Sequence, residues 1–133
     1  MSTHEGSCLC GAVRYEINGE IDTLTLCHCQ RCRKAHGSAF AAVAPVAADD
    51  FRLIAGEESL GDYLSASGLH RMFCKHCGSP LFSRRDSVPD LVRVRVGSLD
   101  TPFSMRPSTH IFVASKAEWF DIHDDAPQFA ERN

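Results

Sequence analysis

Cysteine occurs seven times in these 133 residues, always in tight groups: Cys8-x-Cys10, Cys27-x-Cys29-x-x-Cys32 and Cys74-x-x-Cys77. Cysteines one or two residues apart are too close to close ordinary disulfides, but they bring sulfurs to one point, as a tetrahedral metal requires. The odd count also argues against a disulfide framework, which would leave one thiol over. A division into four and three uses all seven. Four sulfurs close a zinc site with protein alone, whereas three leave one position open, as a catalytic zinc does.

In an extended chain, residues two apart share a face, so Cys8 and Cys10 can turn both sulfurs to one ion. Cys74-Lys75-His76-Cys77-Gly78 is a turn around a metal, in which Gly78 takes the positive φ that lets backbone N–H groups approach the thiolates. These two pairs are expected to form a closed, structural zinc site that clips the long loop between them. Cys27, Cys29 and Cys32 form a local tripod, expected to hold a second zinc with an open fourth position. Two alternatives stand beside this: a fourth ligand from His28, His36 or another histidine, and a buried thiol cluster without metal. Three thiolates make zinc a poor acid toward water, yet such a zinc keeps a bound thiol anionic and nucleophilic. The open position therefore suits a thiol substrate. A thioredoxin-like role for Cys29-Gln30-Arg31-Cys32 would strand Cys27. A zinc deaminase needs His-x-Glu or Cys-x-Glu and Pro-Cys-x-x-Cys; here Phe73 precedes Cys74.

The elements that must carry these groups are short. Val13, Tyr15 and Ile17 alternate with Arg14 and Glu16 as a half-buried strand, closed by Asn18-Gly19. A strand over 23–26 delivers the tripod. A helical turn over 33–36 ends at Gly37, and 39–43 reads as a buried strand that Pro45 ends or marks as an edge. Further strands are expected over 51–54, 60–65, 70–73 and 110–113. Val92, Val94 and Val96 alternate with Arg93 and Arg95, predicting a strand with one apolar and one solvated cationic face. Trp119 is expected in the core, and residues 119–133 as an irregular arm packed over the domain. The whole predicts one mainly β domain over residues 1–133, pinned by metal, with little helix.

Composition agrees with a globular protein: 44% hydrophobic and 23% charged residues. No run approaches a membrane span, and residues 1–7 hold no apolar core of a signal peptide, so reduced cysteines in the cytoplasm are expected. The formal net charge is −3, and seven thiolates outweigh two dications, which disfavours nucleic acid as a partner.

Gly6-Ser7-Cys8-Leu9-Cys10-Gly11-Ala12-Val13, Cys27-His28-Cys29-Gln30-Arg31-Cys32-Arg33-Lys34 with Gly37-Ser38, and Phe73-Cys74-Lys75-His76-Cys77-Gly78 resemble the glutathione-dependent formaldehyde-activating enzyme family, which shares a domain with centromere protein V. The stretch from His110 to Trp119 and Asp124-Asp125-Ala126-Pro127 resembles that family's end. The resemblance implies a β-tent-like fold, a structural zinc on Cys8, Cys10, Cys74 and Cys77, and a second zinc on Cys27, Cys29 and Cys32. It further implies a carbon–sulfur lyase, written in the condensing direction as glutathione plus formaldehyde giving S-hydroxymethylglutathione. Beside the tripod, Arg33 and Lys34 are candidates to pair with carboxylates of such a thiol, or are plain surface cations. His36 is a candidate proton carrier, and Ser38 either donates to a developing oxyanion or caps the next strand. The alternative from another class is a zinc-stabilised binding module that contacts a protein or nucleic acid through Arg31, Arg33, Arg93 and Arg95. The sequence leaves the oligomeric state open.

Overall fold

The computed structural model describes residues 3–132. It is mainly β, as expected: β1 (Thr3–Ser7), β2 (Arg14–Asn18), β3 (Thr25–Cys27), β4 (Ala41–Ala47), β5 (Phe51–Ala55), β6 (Leu60–Leu64), β7 (Leu69–Cys74), β8 (Pro80–Arg85), β9 (Val88–Arg95) and β10 (Thr109–Ile111), with one short helix, α1 (Gln30–His36). The chain divides into two compact units, residues 1–21 with 45–103 and residues 22–44 with 104–133. No helix among the described residues is long and apolar enough to cross a membrane.

In the first unit, β1, β2 and β5 form an antiparallel sheet in that order, and β6, β7, β8 and β9 follow one another as an antiparallel meander. The alternation read from the sequence sets the inner face of β2: Tyr15 and Ile17 are buried, and Val13 just before the strand is buried with them. They pack with Val46, Leu81, Phe82, Val92 and Val94, and the same cluster contains Cys8 and Cys74. Two cysteines of the closed set are thus part of this unit's apolar core and Cys77 packs against it, while Cys10 is exposed.

In the second unit, β3 lies between β10, which runs parallel to it, and the antiparallel β4. Its apolar cluster is small and built on cysteine: Cys27, Cys32, Ala41 and Val43, with Ile111 and Phe112 packed against it. The arm expected from residue 119 is partly tied down: the N–H groups of His110, Phe112 and Val113 donate to the carbonyls of Pro127, Glu131 and Phe129. Asn133 lies outside the described residues.

Four expectations are corrected. The helix starts three residues earlier than the sequence suggested, because Cys29 supplies an N-cap. Of the two readings of Pro45, the end of the run is corrected, since β4 continues to Ala47; the edge reading agrees with the pairing to β3, which reaches only Val43 and leaves Pro45 beyond that ladder. Arg95 is 6% exposed rather than solvated, its guanidinium donating to the Arg93 carbonyl, so it is withdrawn from any partner surface. Trp119 is 71% exposed and lies outside the core. Strands β1 and β8 carry too few alternating apolar residues to announce themselves.

Candidate metal centres

The first centre is built from two turns. The N–H of Cys8 donates to the Val13 carbonyl and that of Gly11 to the Cys8 carbonyl, folding Cys8 and Cys10 onto one side. The second turn is closed by the Cys74 N–H to the Ser79 carbonyl and the Gly78 N–H to the Cys74 carbonyl. Gly78 has φ +79°, the conformation its position demanded. Cys10 Sγ lies 3.7 Å from both Cys8 Sγ and Cys74 Sγ. A tetrahedron of sulfurs around zinc, with bonds of about 2.3 Å, has edges of roughly 3.8 Å, so the four thiols stand where such an ion needs them. Backbone N–H groups already serve the sulfurs, from Val13 to Cys8 at 3.2 Å and from His76 to Cys74 at 3.4 Å. Hydrogen bonds from Ser79 lower the Cys77 thiol to about 5, and burial of Cys8 is outweighed by the Val13 N–H and neighbouring thiols, which bring it down as well. The Ala12 N–H draws Cys10 down, but burial and the neighbouring thiols outweigh it and push Cys10 up to about 11, a competition among thiols that a bound cation would relieve.

The second centre is local. β3 ends at Cys27, His28 follows, and Cys29 caps α1, its Sγ accepting the Cys32 N–H at 3.3 Å. Gly37, at φ 60°, ends the helix with its N–H on the Arg33 carbonyl. One short turn of chain thereby gathers Cys27, Cys29 and Cys32, whose sulfurs all lie within 4.8 Å of one another. Among the described residues no histidine nitrogen or carboxylate joins them at that distance, neither His28 nor His36. Thiol hydrogen bonds from Cys27 and Cys32, with the Cys32 N–H, pull Cys29 far down; the same contact pushes Cys27 up. Such competition between neighbouring thiols is what a bound cation would relieve.

The other predicted residues are placed as follows. Arg33 and Lys34 sit in the last turn of α1; Lys34 is exposed and Arg33 half-buried, its Nε without a hydrogen-bond partner among the described residues. The Ser38 hydroxyl donates to the Phe40 carbonyl at 2.7 Å and braces the approach to β4.

Sequence reasoning gave no role to His110 or Asp124. His28, fully buried, places Nε2 2.8 Å from His110 Nδ1, and His110 Nε2 lies 3.0 and 3.1 Å from the two oxygens of Asp124. The parallel pairing of β3 with β10 creates this row, and the His28 N–H donates to the Ile111 carbonyl at 3.0 Å. Phe40 and Phe120 flank the His28 ring, at centroid distances of 5.6 and 6.3 Å. Burial first, then His110 and Lys116, push His28 down to about 4, so it is neutral at physiological pH. Hydrogen bonds from His110 and the Ala126 N–H hold Asp124 below the usual carboxylate range. No signal local to either sequence segment announces a pairing of residues 82 positions apart.

A family profile described as glutathione-dependent formaldehyde-activating enzyme matches residues 3–115. A Schizosaccharomyces pombe protein named as an uncharacterized lyase is 35% identical over 82 residues, 62% of this chain and 58% of its own. A Halomonas elongata protein that carries the profile's name is 29% identical, covering 89% of this chain and 80% of its own. An Aspergillus flavus protein named likewise is 28% identical over 92% of this chain, which spans 56% of that relative's length. A crystal structure of a Rhodobacter sphaeroides protein superimposes with a TM-score of 0.62 at 29% identity, over 74% of this chain and 90% of the other.

Proposed function

Because this chain belongs to the glutathione-dependent formaldehyde-activating enzyme family, we propose that it is a cytoplasmic, zinc-dependent carbon–sulfur lyase that joins a thiol, glutathione or a relative, reversibly to formaldehyde or a similar small aldehyde. The observation that carries the reading is the tripod: three sulfurs gathered by one turn of chain, with no fourth protein ligand beside them among the described residues. Cys8, Cys10, Cys74 and Cys77 would hold a structural zinc, and Cys27, Cys29 and Cys32 a second one. Zinc at the tripod would supply a position at which a thiol is held as its thiolate.

The chain's own residues supply the rest. Cys29 keeps its place as ligand and helix cap together, which fixes the tripod to α1. Arg33 and Lys34 stand within two residues of Cys32 and would take the carboxylates of a peptide thiol through charge-assisted hydrogen bonds. Ser38 would exchange its bond to Phe40 for one to the substrate oxygen. Holding thiol and aldehyde together is the main catalytic contribution, since the addition is facile once the thiolate exists. The 133 residues are taken as one functional domain.

Calorimetric titration with glutathione, on protein whose zinc has been quantified, tests this. The expected result is two zinc ions per chain and glutathione binding that disappears with the tripod ion. Zinc-replete protein that ignores millimolar glutathione and does not accelerate adduct formation would overturn it.

A further inference from the structure

Phe112 is the one non-glycine among the described residues with a positive φ, at φ 56° and ψ 38°. That left-handed conformation is an outlier for a bulky side chain, and such strain persists only where the surroundings impose it. β10 ends at Ile111, and residues 127–131 run beside the turn that follows. The Phe112 N–H donates to the Glu131 carbonyl at 2.9 Å, that of Val113 to Phe129 at 3.0 Å and that of Ala114 to Ala130 at 3.1 Å. The half-buried Phe112 ring packs against the cluster that contains Cys27 and Cys32. The next residue along the strap, Arg132, sets its guanidinium over the same ring, 5.5 Å from the centroid. Arg132 is exposed, and no carboxylate among the described residues pairs with it.

A guanidinium over a ring uses its face and leaves its N–H groups, which lie in its plane, for other partners. Because the ring touches the cysteine cluster, the charge stands within roughly 11 Å of that cluster. An extended peptide of three residues spans about 10 Å, so a carboxylate of a thiol held at the cysteines reaches it.

We propose that Phe112 and Arg132 form a carboxylate anchor for the ligand of the cysteine trio. The ring, held by its strained backbone, is the platform, and the guanidinium on it takes one carboxylate of a tripeptide thiol. This rests on the thiol–aldehyde reading and deepens it: Arg33 and Lys34, adjacent on α1, answer one of glutathione's two carboxylates, and Arg132, on a separate segment, answers the other. Phe112 lies within the span that the family profile matches and Arg132 beyond it, so the pairing is not part of the pattern that identifies the family.

Arg132→Gln is the test, and because the side chain is exposed the fold is kept. Calorimetry on zinc-loaded protein of quantified metal content gives affinities for glutathione and for its diethyl ester, which keeps the thiol but loses both carboxylate charges. Wild type should bind glutathione on the order of 10-fold tighter than Arg132→Gln does, whereas the ester should bind both proteins equally. Metal content should not change. Phe112→Leu keeps an apolar side chain for the cysteine cluster but removes the π face. It should weaken glutathione too, and adding Arg132→Gln to it should weaken glutathione no further.

Glutathione that binds wild type and Arg132→Gln equally overturns the proposal and leaves the thiol reading standing. An ester weakened as much as glutathione, or a variant that loses zinc from the trio, also overturns it, since Arg132 would then be a prop for the site. Losses that add in the double variant refute the ring as platform, and the anchor with it. Wild type that binds neither glutathione nor its ester overturns the thiol reading and this proposal together.

Discussion

At the scale of single residues, Cys29 has two jobs that chemistry can separate. Its sulfur is a tripod arm and also the N-cap of α1. Serine is among the best N-caps but, unionised, a poor zinc ligand, whereas alanine is neither. Cys29→Ser should therefore lose the tripod ion and glutathione binding with the helix preserved, and Cys29→Ala should lose about 1 kcal/mol more. Metal analysis and thermal melts of both variants, each compared as metal-free protein, check this; equal stabilities would remove the cap from the account. Arg33→Ala should weaken glutathione but leave cysteamine, a thiol without carboxylates, unaffected. The two cysteine groupings were legible because ligand spacing is local chemistry. The ends of the histidine row were not, because His110 and Asp124 acquire meaning only through the pairing of β10 with β3.

At the scale of elements, a histidine clips the β6–β7–β8 meander. His70 on β7 bonds Asp62 of β6 through Nδ1 at 2.9 Å and Asp86, just after β8, through Nε2 at 3.1 Å; Arg84 of β8 also holds Asp86, at 2.8 Å. The hydrogen bonds to Asp62 and then Asp86 raise His70 above its ordinary value, while those from His70 and then Arg84 lower Asp86. A raised histidine stabilises fully below its unfolded pKa of about 6.5 and loses that contribution as pH rises through its folded value. A lowered aspartate contributes above its unfolded value of about 3.9 and loses it as pH falls. The clip should thus be strongest from about pH 4 to about pH 6.5 and weaken above it. Wild type should exceed His70→Gln in melting temperature in that window, with the gap closing toward pH 9; a gap independent of pH would refute the clip. Strands with clean alternation, such as β2, were readable from sequence. β1 and β8 were not, since their pairing is set by neighbours rather than by their own pattern.

At the scale of the whole molecule, each unit has its own cysteine group, and the two groups are embedded differently. In the first unit Cys8 and Cys74 belong to a core with Val13, Tyr15, Ile17 and Leu81; in the second, the cysteines make up half of a small buried cluster. Cys74→Ser should therefore raise hydrogen exchange across residues 3–21 and 45–103, and Cys29→Ser across residues 22–44 and 104–132. Exchange that rises uniformly along the chain in either variant would show that the units do not open separately. The mainly β class was legible from many short apolar runs, but the division into units was not, because the second is discontinuous in sequence. That discontinuity sets an order of events. The tripod is synthesised before residues 45–103, whereas β10, His110 and Asp124 of the same unit emerge from the ribosome only after them. Contacts between such distant segments form late, because a long loop must close first. A nascent chain therefore carries three closely spaced thiols while residues 45–103 are being made, and the second unit can mature only after those residues and the segment that follows them have emerged.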